Sequence, residues 1–165
     1  MKKLRNTILG LLTEDARLTP SEIAKITGAD EATVISEIKA LEDSGVICKY
    51  TVVVDGELAG KDDVEALIEV KVSPMHKHGF DSIAEEIYRF DEVKTVYLMS
   101  GAYDLCVVIE GRTLKEVARF VSEKLSVMDK VLSTATHFIL KKYKVNGVLM
   151  KSEEKGWNNR QAVHA

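Results

Sequence analysis

Apolar residues recur at helical spacing from the N-terminus to about Gly45, which predicts three short helices. The first helix, over Lys2–Thr13, carries its apolar residues on one face: Leu4, Ile8, Leu11 and Leu12. The third has an apolar stripe at positions i, i+4 and i+7, formed by Val34, Ile38 and Leu41. Each of these helices therefore has one face to bury against its neighbours.

End signals define the second helix and the start of the third. Thr19 is the predicted N-cap of the second helix, with Pro20 at its first position and Glu22 completing a capping box. Gly28 ends this helix, and Asp30 caps the next one. The predicted buried side of the second helix consists of Ile23, Ala24 and Ile26. Two short helices joined by a tight turn form a helix-turn-helix.

The pattern changes after the third helix. The run Val46–Val54 is rich in β-branched residues and predicts a strand or wing. Residues 56–63 are polar, contain Gly60 and are placed as a linker. Residues 1–55 are thus interpreted as a winged helix-turn-helix domain, a fold that usually places one helix in the major groove of DNA.

Residues 64–145 follow the order β, α, β, β, α, β, which is that of a ferredoxin-like domain. The predicted elements are Val64–Val72, Phe80–Phe90, Lys94–Met99, Leu105–Glu110, Leu114–Val127 and Val131–Lys141. The fold class is therefore α+β, followed by a polar tail over residues 146–165, of which we expect Lys151–Ala165 to fray. The strand Leu105–Glu110 is apolar on both sides. We therefore expect the sheet face away from the helices to be buried against another subunit.

Composition excludes several classes of protein. Hydrophobic residues make up 45% and charged residues 30% of the 165-residue chain, as in soluble globular proteins. No apolar run approaches the roughly 18 residues that span a membrane, so no membrane association is expected. Cys48 and Cys106 lie in apolar, strand-like segments and are expected to be reduced and buried, which favours the cytoplasm.

Motifs for metal, cofactor or catalytic chemistry are not found. His76 and His78 are separated by one residue, but no further ligand stands at metal-binding spacing. The chain has no P-loop, no dinucleotide-binding glycine fingerprint and no nucleophile elbow. We therefore predict no metal, no cofactor and no catalytic residue.

Three segments in this order resemble the Lrp/AsnC family of transcriptional regulators. They are GVICKY ending at Tyr50, SGAYDLCVVIE at Ser100–Glu110 and VLSTATHFILK at Val131–Lys141, and Pro74 also fits the pattern. The resemblance covers about residues 1–145. It implies a regulator that binds double-stranded DNA and a small-molecule effector, usually an amino acid. It also implies a homodimer, often assembled further into a tetramer or octamer.

The resemblance further implies an effector site at an interface between dimers. The candidate residues are Gly101, Ala102, Tyr103, Asp104, Thr134 and Thr136. A glycine lets the backbone approach a ligand closely, a carboxylate can accept from an ammonium group, and threonine hydroxyls can hold a carboxylate. The same residues also suit a hairpin turn capped by Asp104 and ordinary strand threonines.

Charge complicates the prediction of DNA binding. The net charge is −3, and residues 1–60 hold seven basic against ten acidic residues. The third helix contains one basic residue, Lys39, where the family commonly carries several. The candidate DNA contacts are Ser21, Lys25, Thr33, Ser36, Lys39 and Lys49. An exposed Ile35 could touch a thymine methyl group, and avidity in an oligomer could compensate for weak contacts.

Two other functions stay open. A small-molecule sensor or oligomerisation module with weakened or lost DNA binding would fit the acidic third helix. Sirohaem decarboxylases also resemble this family in fold, but they need histidine and basic residues around the tetrapyrrole. The segment Cys48–Tyr50 contains no histidine, so we do not expect an enzyme.

Overall fold

The computed structural model describes residues 2–73 and 79–150, which divide into two compact units, Met1–Val53 and Val54–Ala165. The sequence predictions for Pro74, His76, His78 and residues 151–165 lie outside the described residues. The chain combines an N-terminal helix-turn-helix unit with an α+β unit built on an antiparallel sheet, as the sequence predicts.

The N-terminal unit consists of α1 (Lys2–Glu14), α2 (Pro20–Thr27) and α3 (Glu31–Asp43). Their shared core is formed by Ile8, Ile23, Ala24, Val34 and Leu41. These residues belong to the predicted apolar faces. Ile26 is an exception, because its side chain is 57% exposed.

The predicted helix ends are present. The Thr19 hydroxyl accepts from the Glu22 backbone N–H, and the Glu22 carboxylate accepts from the Thr19 N–H, which completes the capping box. These hydrogen bonds from Thr19 lower the pKa of Glu22. Gly28 ends α2 with φ of 69°, a left-handed conformation that favours glycine. Contacts among residues close in sequence therefore define where α2 begins and ends within the helix-turn-helix.

The strand predicted over Val46–Val54 is wrong for the single chain, because these residues form no strand. The described part of their unit contains helices and no neighbouring strand, so no backbone ladder can form. Val52 is 76% exposed. Cys48 is also exposed, contrary to the prediction, and its thiol donates to the Gly45 carbonyl, whereas Cys106 is buried as expected.

The C-terminal unit contains a four-stranded antiparallel sheet in the order β2-β3-β1-β4. Its elements are β1 (Val64–Val72), α4 (Gly79–Tyr88), β2 (Val93–Leu98), β3 (Leu105–Gly111), α5 (Leu114–Phe120) and β4 (Val131–Phe138). A π-helical turn, Val121–Leu125, continues α5. This is the ferredoxin-like arrangement that the order of elements predicts.

One sheet face forms the core of this unit. Alternate residues of β1, namely Ala66, Ile68 and Val70, are fully buried with apolar residues of α4 and α5. The intervening residues lie on the other face, the open sheet face, where Leu67 stands between Val108 and His137. The next position on this face places Glu69 between Cys106 and Ala135. In the single chain, the face of the sheet that packs against the helices is therefore buried, whereas the open sheet face is only partly covered.

A short hairpin follows the sheet. Its strands are β5 (Lys144–Val145) and β6 (Val148–Leu149), joined by Asn146 and Gly147 with φ of 48° and 84°. Asn-Gly with positive φ at both positions is the usual signal for a type I′ turn. Residues 144–149 therefore form a hairpin, whereas the sequence prediction assigns residues 146–149 to the tail, and the Asn-Gly dipeptide is the signal that predicts the turn.

Substitutions on opposite sides of α3 test its orientation. Leu41 is 1% exposed, so Leu41→Ala leaves a cavity and should lower the free energy of unfolding by about 2–5 kcal/mol. Ile35 is 50% exposed, and Ile35→Ala should cost less than about 1 kcal/mol. Urea denaturation followed by helical circular dichroism measures both values. Equal losses would contradict the orientation described for α3.

Candidate functional site

The helix α3 has one buried side and one solvent side. Val34 and Leu41 are buried and Ile38 packs partly buried against the same core. The opposite side, which we call the outward face, is exposed and consists of Ala32, Ile35, Ser36, Lys39 and Asp43. These five positions lie within about 100° of one another on a helix with 3.6 residues per turn. A partner of α3 would therefore meet mostly small, apolar and hydroxyl groups with a single cation.

Glu37 does not belong to the outward face. Its side chain is 12% exposed, and Arg5 Nε of α1 lies 2.6 Å from Glu37 Oε2. A charge-assisted hydrogen bond of this length binds the carboxylate to α1. The sequence alone could not show this, because the two residues are 32 positions apart. The pair removes one acidic side chain from the solvent side of α3 and one basic side chain from the N-terminal segment.

Thr33 is engaged at the start of α3. Its hydroxyl donates to Asp30 Oδ2 at 2.7 Å, while Asp30 also accepts from the backbone N–H groups of Ala32 and Thr33. These hydrogen bonds, that from the Thr33 hydroxyl foremost, lower the pKa of Asp30. Asp30 is thus a helix cap, and the proton of the Thr33 hydroxyl is already donated within the chain.

Glu42 also has a partner. The Tyr50 hydroxyl donates to Glu42 Oε1 at 2.8 Å and ties the segment after α3 to the last turn of that helix. Partial burial and the neighbouring Glu42 raise the pKa of Tyr50. Two of the four carboxylates within α3 are therefore held by other side chains.

The remaining DNA-contact candidates lie on different elements of the same unit. Ser21 is half-buried in the first turn of α2, and Lys25 is exposed in its last turn. Lys49 is exposed in the irregular segment after α3. The structure thus brings Ser36 and Lys39 together on the outward face and distributes the other candidates around it.

The turn Gly101–Asp104 is built around a carboxylate. Gly101 has φ of 151°, which favours glycine. The Asp104 backbone N–H donates to the Val70 carbonyl, and Asp104 Oδ2 accepts from the Val72 N–H at 2.9 Å. The carboxylate therefore joins the turn to the end of β1, a contact with another strand rather than the cap of the hairpin turn considered from the sequence.

Thr134 and Thr136 belong to β4, which pairs with β1 along the edge opposite to β3. In the register of β1 and β4, Thr134 is opposite Val70 and Thr136 is opposite Ile68. Thr134 Oγ1 lies 3.2 Å from Ser126 Oγ, and both threonines are half-buried. Because Leu105 and Thr134 flank Val70 on its two sides, their backbones are about 10 Å apart. The turn and the threonines therefore share one end of the sheet.

Tyr103 and Ala102 complete the turn. Ala102 is exposed and Tyr103 half-buried. Burial raises the pKa of Tyr103, and negative charge at Cys106 and Glu69 raises it further. Both of those residues belong to the open sheet face, where His137 Nε2 lies 3.3 Å from Glu69 Oε1. The turn thus borders the open face of the sheet.

A cavity of about 570 Å³ lies in another part of this unit and is not lined by any candidate ligand residue. Its floor is apolar, with Ile109, Val117 and Phe120, and its rim carries side chains of both charges. The Lys124 ammonium group at the rim pairs with Glu92 and lies 5.3 Å from the centre of the Phe90 ring. Because the rim combines positive and negative side chains, it does not select one class of ligand.

Two negative findings apply to residues 2–73 and 79–150. Among them, no group of three or more histidine, cysteine, aspartate or glutamate side chains is arranged to hold a metal ion. No helix within these ranges has the length and apolar character needed to cross a membrane.

Family models match both units. Residues 1–47 match a winged helix-turn-helix DNA-binding model, and residues 65–149 match the Lrp/AsnC ligand binding domain. The second match includes the hairpin of β5 and β6. The chain belongs to the Lrp/AsnC family of transcriptional regulators.

Individual relatives agree with this assignment. The chain is 49% identical over 146 residues to the HTH-type transcriptional regulator YugG of Bacillus subtilis, covering 88% of each chain. It is 31% identical to the HTH-type transcriptional regulator LrpA of Pyrococcus abyssi, covering 83% of this chain and 94% of the relative. A transcriptional regulator of Neisseria meningitidis, solved in complex with L-Met, shares the fold with a TM-score of 0.70 and 23% identity. That match covers 88% of this chain and 93% of the solved chain.

A double-mutant cycle tests the pair between Arg5 and Glu37. We expect Arg5→Ala, Glu37→Ala and the double variant to give a coupling energy of about 0.5–1 kcal/mol, near the top of the range for exposed pairs, because Glu37 is largely shielded. The measurement is urea denaturation at low and high salt. The exposed pair Arg17 and Asp15 is the matched control and should show weaker coupling. Equal coupling in both cycles would contradict a special role for Glu37.

Proposed function

We propose that this protein is a ligand-responsive, sequence-specific DNA-binding regulator that acts as a homo-oligomer. The observation that carries the proposal is the outward face of α3, where Ser36 and Lys39 are exposed while Glu37 is held by Arg5. A helix at this position in a helix-turn-helix is the one that enters the major groove. The pair with Arg5 withdraws one acidic side chain of α3 from such an approach.

In this proposal, DNA is contacted by few charges. Ser36 meets the groove, Lys39 reaches from it to a flanking phosphate, and Ser21, Lys25, Thr33 and Lys49 contact the phosphate backbone. Because Thr33 already donates its hydroxyl proton to Asp30, it acts through its backbone or as an acceptor. Neutralised phosphates supply most of the sequence-independent affinity. Single protomers should therefore bind weakly, and the oligomer should bind through several copies at once.

Two features of the single chain support assembly with further copies. The open sheet face exposes apolar side chains, including Leu67 half-buried and Tyr97 at 58% exposure. The segment Val46–Val54 has strand-forming residues without a strand partner. A second copy would bury the face and could pair with the segment, as β-rich surfaces commonly do in symmetric dimers. The proposal therefore includes at least a homodimer.

The proposed effector is an amino acid bound at the turn Gly101–Asp104 and at Thr134 and Thr136. The support is their placement at one end of the sheet, together with the match to a ligand-binding domain. The Neisseria regulator, which shares the fold, was solved with L-Met. The cavity of about 570 Å³ is not lined by these residues, and in this proposal a second chain completes the site. The protein acts in the cytoplasm and catalyses no reaction in this proposal.

Replacement of Lys39 tests the DNA-binding part. Lys39→Ala should weaken binding to duplex DNA and reduce the slope of log affinity against log salt by about 1 for each protomer engaged. Fluorescence anisotropy over a salt series measures both quantities. Lys115→Ala, which removes an exposed lysine from α5 in the other unit, is the matched control and should leave both unchanged.

The same titration tests the alternative function. If the wild-type oligomer binds no duplex at low salt, the DNA-binding proposal fails and the sensor or oligomerisation module becomes the better description. DNA affinity that is unchanged by Lys39→Ala would show that α3 does not form the DNA interface.

A thermal-shift screen of the amino acids tests the effector part. An amino acid that binds the folded state should raise the melting temperature by mass action. Asp104→Asn keeps an oxygen that can accept from the Val72 N–H, so it should preserve the fold yet lose the shift. Lys115→Ala, on the exposed side of α5 outside the candidate site, is the control and should keep the shift. A flat screen for the wild-type protein would reject an amino-acid effector.

A further inference from the structure

We infer that α3 identifies thymine in its DNA site through the C5-methyl group, with Ile35 as the main specificity-determining residue. This inference rests on the proposed function, because it concerns how the same helix would distinguish sequences. It follows from which side chains occupy the outward face and which are withdrawn from it.

The outward face has no side chain that usually reads adenine, and it offers one lysine for guanine and one carboxylate, Asp43 at the end of the helix, for cytosine. Arginine or lysine pairs with guanine, and asparagine or glutamine pairs with adenine, through two hydrogen bonds in the major groove. The whole of α3 contains no arginine, asparagine or glutamine, and Lys39 is its one basic residue. Bidentate recognition of adenine is therefore excluded for this helix, and recognition of guanine is limited to one lysine.

Apolar contact is what remains, and Ile35 is placed to make it. Its side chain is 50% exposed although it stands one residue after the fully buried Val34. Ala32 precedes it by one turn and adds a second methyl group on the same side. Thymine is the one standard DNA base with a methyl group in the major groove, and apolar side chains contact it there. An exposed branched aliphatic side chain in the groove thus favours thymine over the other three bases.

Two acidic side chains of α3 are held by other residues, whereas Glu31, one turn before Ile35, is exposed in the first turn of the helix. Glu37 is bound to Arg5 of α1, and Glu42 accepts a hydrogen bond from Tyr50. Ser36 and Lys39 flank Ile35 on the outward face and supply a hydroxyl and an ammonium group. These two groups can hold phosphates or base edges while the methyl contact distinguishes the base.

The experiment uses the full chain and two forms of one DNA pool. A duplex pool with a random centre spanning about two helical turns, the spacing of paired half-sites, is enriched on the wild-type protein. The enriched pool is then copied once with thymidine and once with deoxyuridine, which lacks the methyl group. Anisotropy titrations compare the two copies for wild type, Ile35→Ala and Ile26→Ala. The last variant removes an exposed isoleucine from α2 and is the matched control.

Wild type and Ile26→Ala should lose about four-fold in affinity on the uracil copy for each methyl group contacted, and about fifteen-fold for two half-sites. Ile35→Ala should bind both copies equally, at about the wild-type affinity for uracil. Thermal unfolding confirms that the variants fold.

Two outcomes would overturn the inference while leaving DNA binding intact. They are equal wild-type affinity for both copies, and an undiminished preference for thymine in Ile35→Ala, which would place the effect in DNA shape. A wild-type protein that enriches no duplex at low salt would overturn the proposed function as well.

Discussion

The rotation of α3 about its own axis is the constraint on which the DNA-facing chemistry of this protein depends. Burial of Val34 and Leu41 fixes that rotation, since each fully buried aliphatic side chain contributes about 1.5–3 kcal/mol. The ion pair of Arg5 and Glu37 contributes about 1 kcal/mol or less. Packing therefore decides which side of the helix meets solvent, and the ion pair follows from it. The exposed set of Ile35, Ser36 and Lys39 is the consequence.

This orientation changes how the charge deficit is understood. The sequence of α3 contains four carboxylates and one lysine. This balance of charge alone disfavours binding to the phosphates of DNA. In the folded unit, Glu37 is paired with Arg5, and Glu42 accepts from Tyr50 beside the outward face, which itself carries Lys39 and Asp43. The face is close to neutral rather than acidic. A near-neutral surface shifts recognition from phosphate attraction towards shape and apolar contact.

The C-terminal unit combines structural and candidate ligand roles in the same residues. Asp104 joins its turn to β1 through Val72, and Thr134 lies near Ser126. A carboxylate that already accepts one backbone hydrogen bond retains further acceptor sites. The contact of Asp104 with β1 and its proposed ligand role are therefore compatible.

The sequence by itself determined the elements, because their signals are local. The capping box at Thr19, the left-handed Gly28 and the alternation along β1 and β3 each act within a few residues. The family motifs are equally local, and they suffice for the class of protein. The Asn146–Gly147 turn was also readable in this way, although we placed it in the tail.

Only the tertiary structure decided which exposed side chains have partners within the chain and which remain available to a ligand. Arg5 meets Glu37 across 32 positions and Asp104 meets Val72 across 32 positions, and no local pattern encodes such contacts. The failed strand at Val46–Val54 has the same origin, because a strand needs a partner that its own unit does not supply. Strand propensity depends on the residues of one segment, whereas strand pairing also depends on the presence of a neighbouring strand. The sequence therefore fixes the architecture, and long-range contacts fix the chemistry of its surfaces.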